Sequence, residues 1–219
     1  MDKAEAFWDS SSGRYDRTEE RFESLHRRSR KNARRHLDKK DVVLDFGCGT
    51  GTTACELSTE VARIQAIDIS SKMIELAKAK AGDANIRNVN FAQGDIFDAD
   101  YADKSFDAIL TFNMLHTVPD AHAVLRRIHK LLKPGGLIIT VTPCLRDKLS
   151  VVVAAQIKLV QFLCAVGVIP VPIRRLKSSD LDGLVLGEDF QIVDSENLFA
   201  GASSYFLVAK KVTRNSDQA

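Results

Sequence analysis

The sequence predicts an α/β protein: a doubly wound sheet of seven strands, mostly parallel, ending in an antiparallel strand pair. Three observations carry that expectation. From about residue 42 to residue 141, short apolar runs alternate with longer periodic segments, the pattern of parallel strands joined by crossover helices. Two later runs, Phe190–Val193 and Tyr205–Ala209, have too little chain between them for a crossover helix and must pair antiparallel. The 219 residues, 45% hydrophobic and 27% charged, match an ordinary globular domain with one sizeable core, which excludes disordered, collagenous and disulfide-scaffold classes.

Taken in order, residues 1–40 read as an N-terminal helical cap, 41–212 as the main domain and 213–219 as a disordered tail. Asp16 to about Leu37 predicts one amphipathic helix. At about 100° per residue, Phe22, Leu25, Ala33 and His36 fall on one side and Arg27, Arg28, Arg30, Lys31, Arg34 and Arg35 on the other. That basic face is either a solvated surface or a peripheral contact for anionic lipid headgroups. Val42–Phe46 is a short buried strand, Thr52 to about Thr59 a helix, and Ile64–Ile69 a second strand. Ser70 or Ser71 can N-cap a helix to about Ala81, with Glu75 reaching back from its first turn. Val89–Ala92 and Phe106–Phe112 are the third and fourth strands. A helix follows Pro119, which suits a first turn because its missing N–H costs little there, and runs to about Leu132. Lys133-Pro134-Gly135-Gly136 stops it, and Leu137–Val141 is the fifth strand. Residues of about 144–187 form an insertion whose stretch from Leu149 to Leu163 is apolar over most of a helix circumference. It is either a core helix or a lid over an apolar substrate.

Charge and cysteine usage narrow the function. Lys and Arg number 31 against 29 Asp and Glu, a net charge of +2 that predicts no polyanionic partner, so no nucleic acid is expected. The four cysteines, Cys48, Cys55, Cys144 and Cys164, form no CxxC pair; free thiols of a cytoplasmic protein, with no metal, are expected. The first residues hold no apolar signal segment. The long apolar stretch Val151 to Ile169 is interrupted by Gln156, Lys158 and Gln161, and a central lysine costs a membrane span about 3 kcal/mol.

The sharpest signal is Asp45-Phe46-Gly47-Cys48-Gly49-Thr50-Gly51, at the junction of the first strand and first helix, where a doubly wound sheet binds its ligand. Glycines let the backbone turn tightly and approach a ligand. Asp68 ends the second strand about 20 residues on, where a carboxylate accepts the hydroxyls of a ribose. A dinucleotide fingerprint is G-x-G-x-x-G, yet the third residue after Gly49 is Thr52, so the pattern here is G-x-G-x-G. Asp45 beside the ligand would repel a pyrophosphate and suit a cation or an ammonium group. These features point to S-adenosyl-L-methionine, which carries a sulfonium, an α-amino group and no phosphate.

With these residues in place, the sequence resembles the class I S-adenosylmethionine-dependent methyltransferases over about residues 7–142, and more loosely at the terminal strand pair. Further segments match in order. Ala66-Ile67-Asp68-Ile69-Ser70 with Met73 resembles the ribose-binding strand end. Gln93-Gly94-Asp95-Ile96 resembles the adenine site, where the resemblance implies that the aspartate bonds the exocyclic amine and Ile96 packs on the ring. Phe106-Asp107-Ala108-Ile109 through Asn113-Met114-Leu115-His116 resembles the fourth strand and active-site loop, and Leu132-Lys133-Pro134-Gly135-Gly136 the turn before strand five. The nearest likeness is to small-molecule enzymes of the quinone-biosynthesis type. Their N-terminal helix carries an aromatic pattern like Phe7-Trp8-Asp9 and Tyr15-Asp16, implying that Tyr15 contacts the methionine carboxylate. The resemblance implies a Rossmann-like fold, S-adenosyl-L-methionine as cofactor, and cofactor contacts from Tyr15, Asp45, Gly47, Cys48, Gly49, Thr50, Gly51, Asp68, Ile69, Met73, Gly94, Asp95, Ile96 and Asn113.

Methyl transfer is an in-line displacement in which the protein supplies orientation and water exclusion. The expected acceptor is a small apolar molecule, a lipid, isoprenoid or aromatic. His116 is the candidate general base, the alternative being a histidine that packs or bonds locally. Asp95 likewise either binds adenine or caps a turn. Base-amino methyltransferases carry an Asn/Asp-Pro-Pro-aromatic loop after strand four, which Asn113-Met114-Leu115-His116 lacks. The competing classes are a non-catalytic cofactor-binding partner subunit and an NAD-dependent oxidoreductase; the glycine register speaks against the second.

Overall fold

A computed structural model describes residues 3–97 and 101–212; the proposed tail, 213–219, lies outside them. The N-terminal cap is α1 (Lys3–Glu19), a 3-10 turn (Glu20–Phe22) and α2 (Glu23–Arg34). The body follows as β1 (Val42–Phe46), α3 (Thr52–Leu57), β2 (Arg63–Asp68), α4 (Ser71–Asp83), β3 (Val89–Gln93), β4 (Phe106–Phe112), α5 (Ala121–Leu131) and β5 (Leu132–Pro143). The chain ends with α6 (Val151–Ala165), α7 (Ser178–Leu186), β6 (Phe190–Phe199) and β7 (Ser203–Lys211). All seven strands form one sheet in the order β3-β2-β1-β4-β5-β7-β6. The first five are parallel, and β7 runs antiparallel between β5 and β6.

Side chains alternate across the sheet, and each face builds its own core. Leu44, Ile67, Ile109, Ile138 and Leu207 point to the face covered by α5 and α7. Their neighbours Val43, Ala66, Leu110, Ile139 and Val208 point to the face covered by α2, α3 and α4. Chain order reverses between β1 and β4, so the carboxyl ends of these two strands frame the crevice where such sheets take ligands.

The structure differs from the sequence reading in particulars. The single N-terminal helix is two helices broken at the 3-10 turn, and it starts at Lys3. The break lets α1 pack against α4 while α2 turns onto the sheet face. The basic side of α2 is largely neutralised within the fold. Arg30 is buried and bonds Glu23 and Glu56, each at 2.8 Å, Arg28 meets Glu196 at 3.1 Å, and Arg34 reaches Glu56 and Glu60.

Ser70 does cap α4, accepting from the Met73 N–H, but the Ser70 N–H goes to Asp68 at 2.9 Å, where Glu75 had been expected to reach back. Asp120, not Pro119, starts α5: its carboxylate accepts the Ala123 N–H at 3.0 Å. Helix α7 within the insertion and the outer half of β6 went unread. On β6, residues 194–197 are all polar at the sheet edge, so burial alternates along the strand without an apolar run to mark it.

Candidate active site

Three adjoining hollows open at the carboxyl ends of β1 and β4, roofed by α1. The first, about 340 Å³, is walled by Gly47 and Gly49 of the glycine loop, Asp68, Ile69 and Met73 after β2, Asp95 after β3, and Asn113 after β4. Trp8 and Tyr15 of α1 close it from above, and Pro170, Val171 and Pro172 of the insertion from the side. The second, about 270 Å³, is acidic: Asp45, Cys48 and Thr50 face Asp16, Glu19, Glu20 and Glu23 there. The third is the largest, about 620 Å³, and runs between the cap and α6; apolar groups such as Phe22, Leu25, Val153, Ile157 and Val160 line most of it, with His116 on the wall. Tyr15 and Asn113 border all three.

The glycine loop owes its path to hydrogen bonds within the fold. Gly47 and Cys48 N–H groups donate to the Ile67 carbonyl, and the Gly51 N–H donates to Cys48. The Gly49 N–H donates to one oxygen of Asp68 at 2.9 Å, and the Ser70 N–H to the other at 2.9 Å. Asp68 thereby fastens the loop to the start of α4. Burial pushes its carboxyl above the ordinary range, although both N–H groups pull it down. Asp45, on β1, is fully buried with Oδ2 lacking any hydrogen-bond partner. Burial, reinforced by the charge of Asp68, raises its pKa to about 7.

Of the remaining predicted residues, Met73 and Ile69 stand on the wall of the first hollow. Cys48 and Thr50 face only the acidic hollow; Thr50 Oγ1 bonds Asp16 and Lys80. Gly51, Gly94 and Ile96 stand on no described wall. A Cβ on Gly51 would lie 2.8 Å from Ala77 and Phe91, so this glycine, at φ +76°, serves close helix–strand packing. The Gly94 N–H closes on the Asp68 carbonyl at 3.0 Å, and Ile96 is wholly buried in the core, where its carbonyl accepts from Arg127. Asn113 takes a left-handed φ of 54° at the sharp exit from β4. His116 has a buried, unpartnered Nδ1, and burial drops its pKa to about 4, so the imidazole is neutral.

Sequence reasoning missed Trp8, Met114 and Thr117 as wall residues, and the Pro170–Pro172 segment of the insertion. The signal for the last was available: two prolines amid apolar residues mark a rigid, non-helical turn. The cap is bound to the site by its own carboxylates. Asp9 accepts from Ser70 Oγ and the Lys72 N–H, Asp16 pairs with Lys80 at 3.1 Å, and Glu5 accepts from Gln93 at 2.9 Å.

A parallel sheet with a buried carboxylate under a three-glycine turn, and a second carboxylate at the next strand end, defines a class I S-adenosylmethionine-dependent methyltransferase. A family model described as a methyltransferase domain matches residues 37–190, and the chain belongs to that family. The demethylmenaquinone methyltransferase of Lactococcus lactis is 34% identical over 102 residues, covering 45% of this chain and 40% of the relative. That of Staphylococcus saprophyticus is 33% identical over 135 residues, covering 58% and 57%. The chain thus spans about half the length of the curated relatives it matches. Among solved structures, the methyltransferase bound to the Haloferax volcanii Trm112 activator superposes with a TM-score of 0.78 at 16% identity, covering 97% of this chain and 99% of that one. A geranyl diphosphate methyltransferase in complex with S-adenosylmethionine gives 0.69 at 15% identity, covering 88% and 89%. These two likenesses show the fold.

The residues present fit the family cofactor. Among the described residues the first hollow has two carboxylates, Asp68 and Asp95, and no lysine or arginine on its wall. The orphaned Oδ2 of Asp45 lies beneath the same loop. Four loop N–H groups are used inside the fold, so the loop does not offer them to a phosphate. A phosphate-free nucleoside with a cationic end suits this set, and a dinucleotide does not.

Proposed function

We propose that the chain transfers the methyl group of S-adenosyl-L-methionine to a small apolar acceptor of quinone-like, isoprenoid or aromatic character. The observation that carries this reading is the large, mainly apolar hollow that shares Trp8, Tyr15, Asn113 and Thr117 with the nucleoside hollow. The relatives named for demethylmenaquinone support the same acceptor class. The bound cofactor supplies a methyl group already activated on a sulfonium.

The chain's own residues hold and shield. Asp68 takes the ribose hydroxyls while staying tied to Gly49 and Ser70, Asp95 and Met73 flank the base, and Asp45 faces the α-amino group. Trp8 and Tyr15 cover the reacting end and keep water out. Asn113, at the border of the hollows, orients the acceptor against the cofactor. His116, neutral and with Nδ1 unpartnered, takes the proton of a hydroxyl or enol acceptor. Four of the five Lys and Arg side chains on α2 are paired with acids of this chain, which weakens the basic face as a peripheral membrane contact. Among the described residues no helix is long and apolar enough to cross a membrane.

Calorimetric titration with S-adenosylmethionine, S-adenosylhomocysteine and NAD(H), followed by transfer of a radiolabelled methyl to a panel of apolar and polar acceptors, tests the reading. Binding of both sulfur nucleosides with label passing to naphthoquinol- or prenyl-bearing acceptors is expected. Label found only in polar acceptors would overturn the acceptor class, and cofactor binding without transfer to any acceptor would favour a non-catalytic subunit. Near wild-type single-turnover rates in His116→Ala would remove His116 as base.

A further inference from the structure

Helix α6 has two faces with different surroundings. Val153, Ile157 and Val160 face the acceptor hollow. The opposite face is largely open to solvent: Val151 is 87% exposed, Val152 68%, Phe162 62% and Leu159 59%, and Val166 and Val168 beyond the helix end are more than half exposed. On a helical wheel, Val151, Ala155, Leu159, Phe162 and Val166 share one arc of roughly 80°. No residue of α6 is buried. A contiguous apolar face of this kind on a protein surface marks an interaction site.

The charge around that face says what it meets. From Lys148 to Lys177 the sequence holds no Asp or Glu, although the whole sequence is close to neutral; Lys148 and Lys158 are the cations beside the apolar face, while Arg174 and Arg175 turn back to the carbonyls of Pro119 and Leu145. Lys158 lies at the margin of the apolar arc, where a long side chain can keep its stem in hydrocarbon and its ammonium among headgroups. At the start of α6, Lys148 stacks over the exposed Phe199 ring at 5.3 Å, extending the patch. Two copies packed face to face would oppose these cations to one another. An anionic bilayer satisfies both the apolar face and the cations.

We infer that α6 lies in the plane of an anionic lipid bilayer, its outer face among the acyl chains and its flanking cations at the headgroups. The helix is attached at its ends, by the Ser150 N–H to the Gly201 carbonyl and by Cys164 Sγ to the Val171 carbonyl. Its inner face walls the acceptor hollow, so docking sets that hollow beside the lipid phase. The inference takes its purpose from the acceptor reading but not its evidence. Vesicle binding needs no acceptor, and methyl transfer to detergent-dispersed acceptor is measured separately, so either can fail without the other.

The test is co-sedimentation of the full chain with phosphatidylcholine vesicles, with and without phosphatidylglycerol. It is repeated for Lys158→Glu and for the double variant Leu159→Glu/Phe162→Glu. These side chains are exposed, and cofactor titration checks that each variant is folded. Wild type should bind the phosphatidylglycerol vesicles and lose them at high salt. Lys158→Glu should bind about fivefold more weakly or worse, and the double variant at least ~tenfold more weakly. Equal binding by wild type and double variant overturns the inference, as does indifference to phosphatidylglycerol. So does a wild type that ignores vesicles and sediments as a dimer that the double variant dissolves.

Discussion

Asp45 carries a buried Oδ2 that no hydrogen-bond donor satisfies, and its titration follows from that burial. Its carboxyl titrates near 3.8 in the unfolded chain and at about 7 in the folded one, so between those values the native state binds the extra proton. Its contribution to stability is complete below about pH 4 and is lost as pH rises through 7; Asp68, shifted upward for the same reason, adds to the trend. Asp45→Asn should therefore stabilise the cofactor-free protein above pH 7 by on the order of a few kcal/mol, seen as a higher melting temperature, and flatten the pH profile seen by calorimetry. The same substitution should weaken S-adenosylmethionine binding by about 2 kcal/mol. In wild type that affinity should rise as pH passes upward through 7, because a cationic ligand favours the ionised carboxylate; titrations at several pH values read both effects. Asp45 and Asp68 were legible in the sequence because their positions are fixed by strand ends. Gly51 and Ile96 were not: their spacing matches ligand-binding positions, but what they touch depends on Ala77, Phe91 and Arg127, brought there by the fold.

At the scale of elements, the site depends on joints more than on single contacts. Gly51→Ala places a Cβ 2.8 Å from Ala77 and Phe91 at a left-handed backbone position. It should cost about 2 kcal/mol of unfolding free energy, read from denaturant melts, while leaving the carboxylates of the site in place. Helix α1 is fixed to α4 through Asp9 and Asp16. In Asp9→Ala/Asp16→Ala, limited proteolysis within residues 3–19 should speed up, and stopped-flow measurement should show the cofactor leaving several-fold faster, since each hydrogen bond contributes about 1 kcal/mol. The strands β1 and β4 were legible to the residue because each is a short apolar run ended by a turn signal. The division of the N-terminal helix was hidden because the helical period runs on through residues 20–22. Helix α7 was hidden because SSDLDGLVL opens polar and holds a glycine.

Across the whole molecule, order declines outward from the middle of the sheet. Strands β1, β4 and β5 carry core on both faces, whereas α6 buries no residue. Hydrogen exchange should accordingly find the amides of those three strands the slowest and those of α6 the fastest among the helices. The mostly parallel seven-stranded sheet with its antiparallel terminal pair followed from the alternation of segments and the short final connection, whereas the order that inserts β7 between β5 and β6 came only from the structure. The hollows did not follow, because they are spaces between the cap, the loops after the strands and the insertion, each of which packs over a long sequence separation.

Helix α6 also bears on how such a protein changes over generations. A segment that supports nothing beneath it can accept substitutions that a core helix would not survive. Ile157→Ala or Val160→Ala should leave the unfolding free energy within about 0.5 kcal/mol of wild type while altering which acceptors are turned over, as competition between acceptors of different ring size would reveal. On the proposed function, cofactor capture falls to β1, β2 and the cap, and acceptor choice to a helix attached at its ends. On that division, substitutions in the second need not disturb the first.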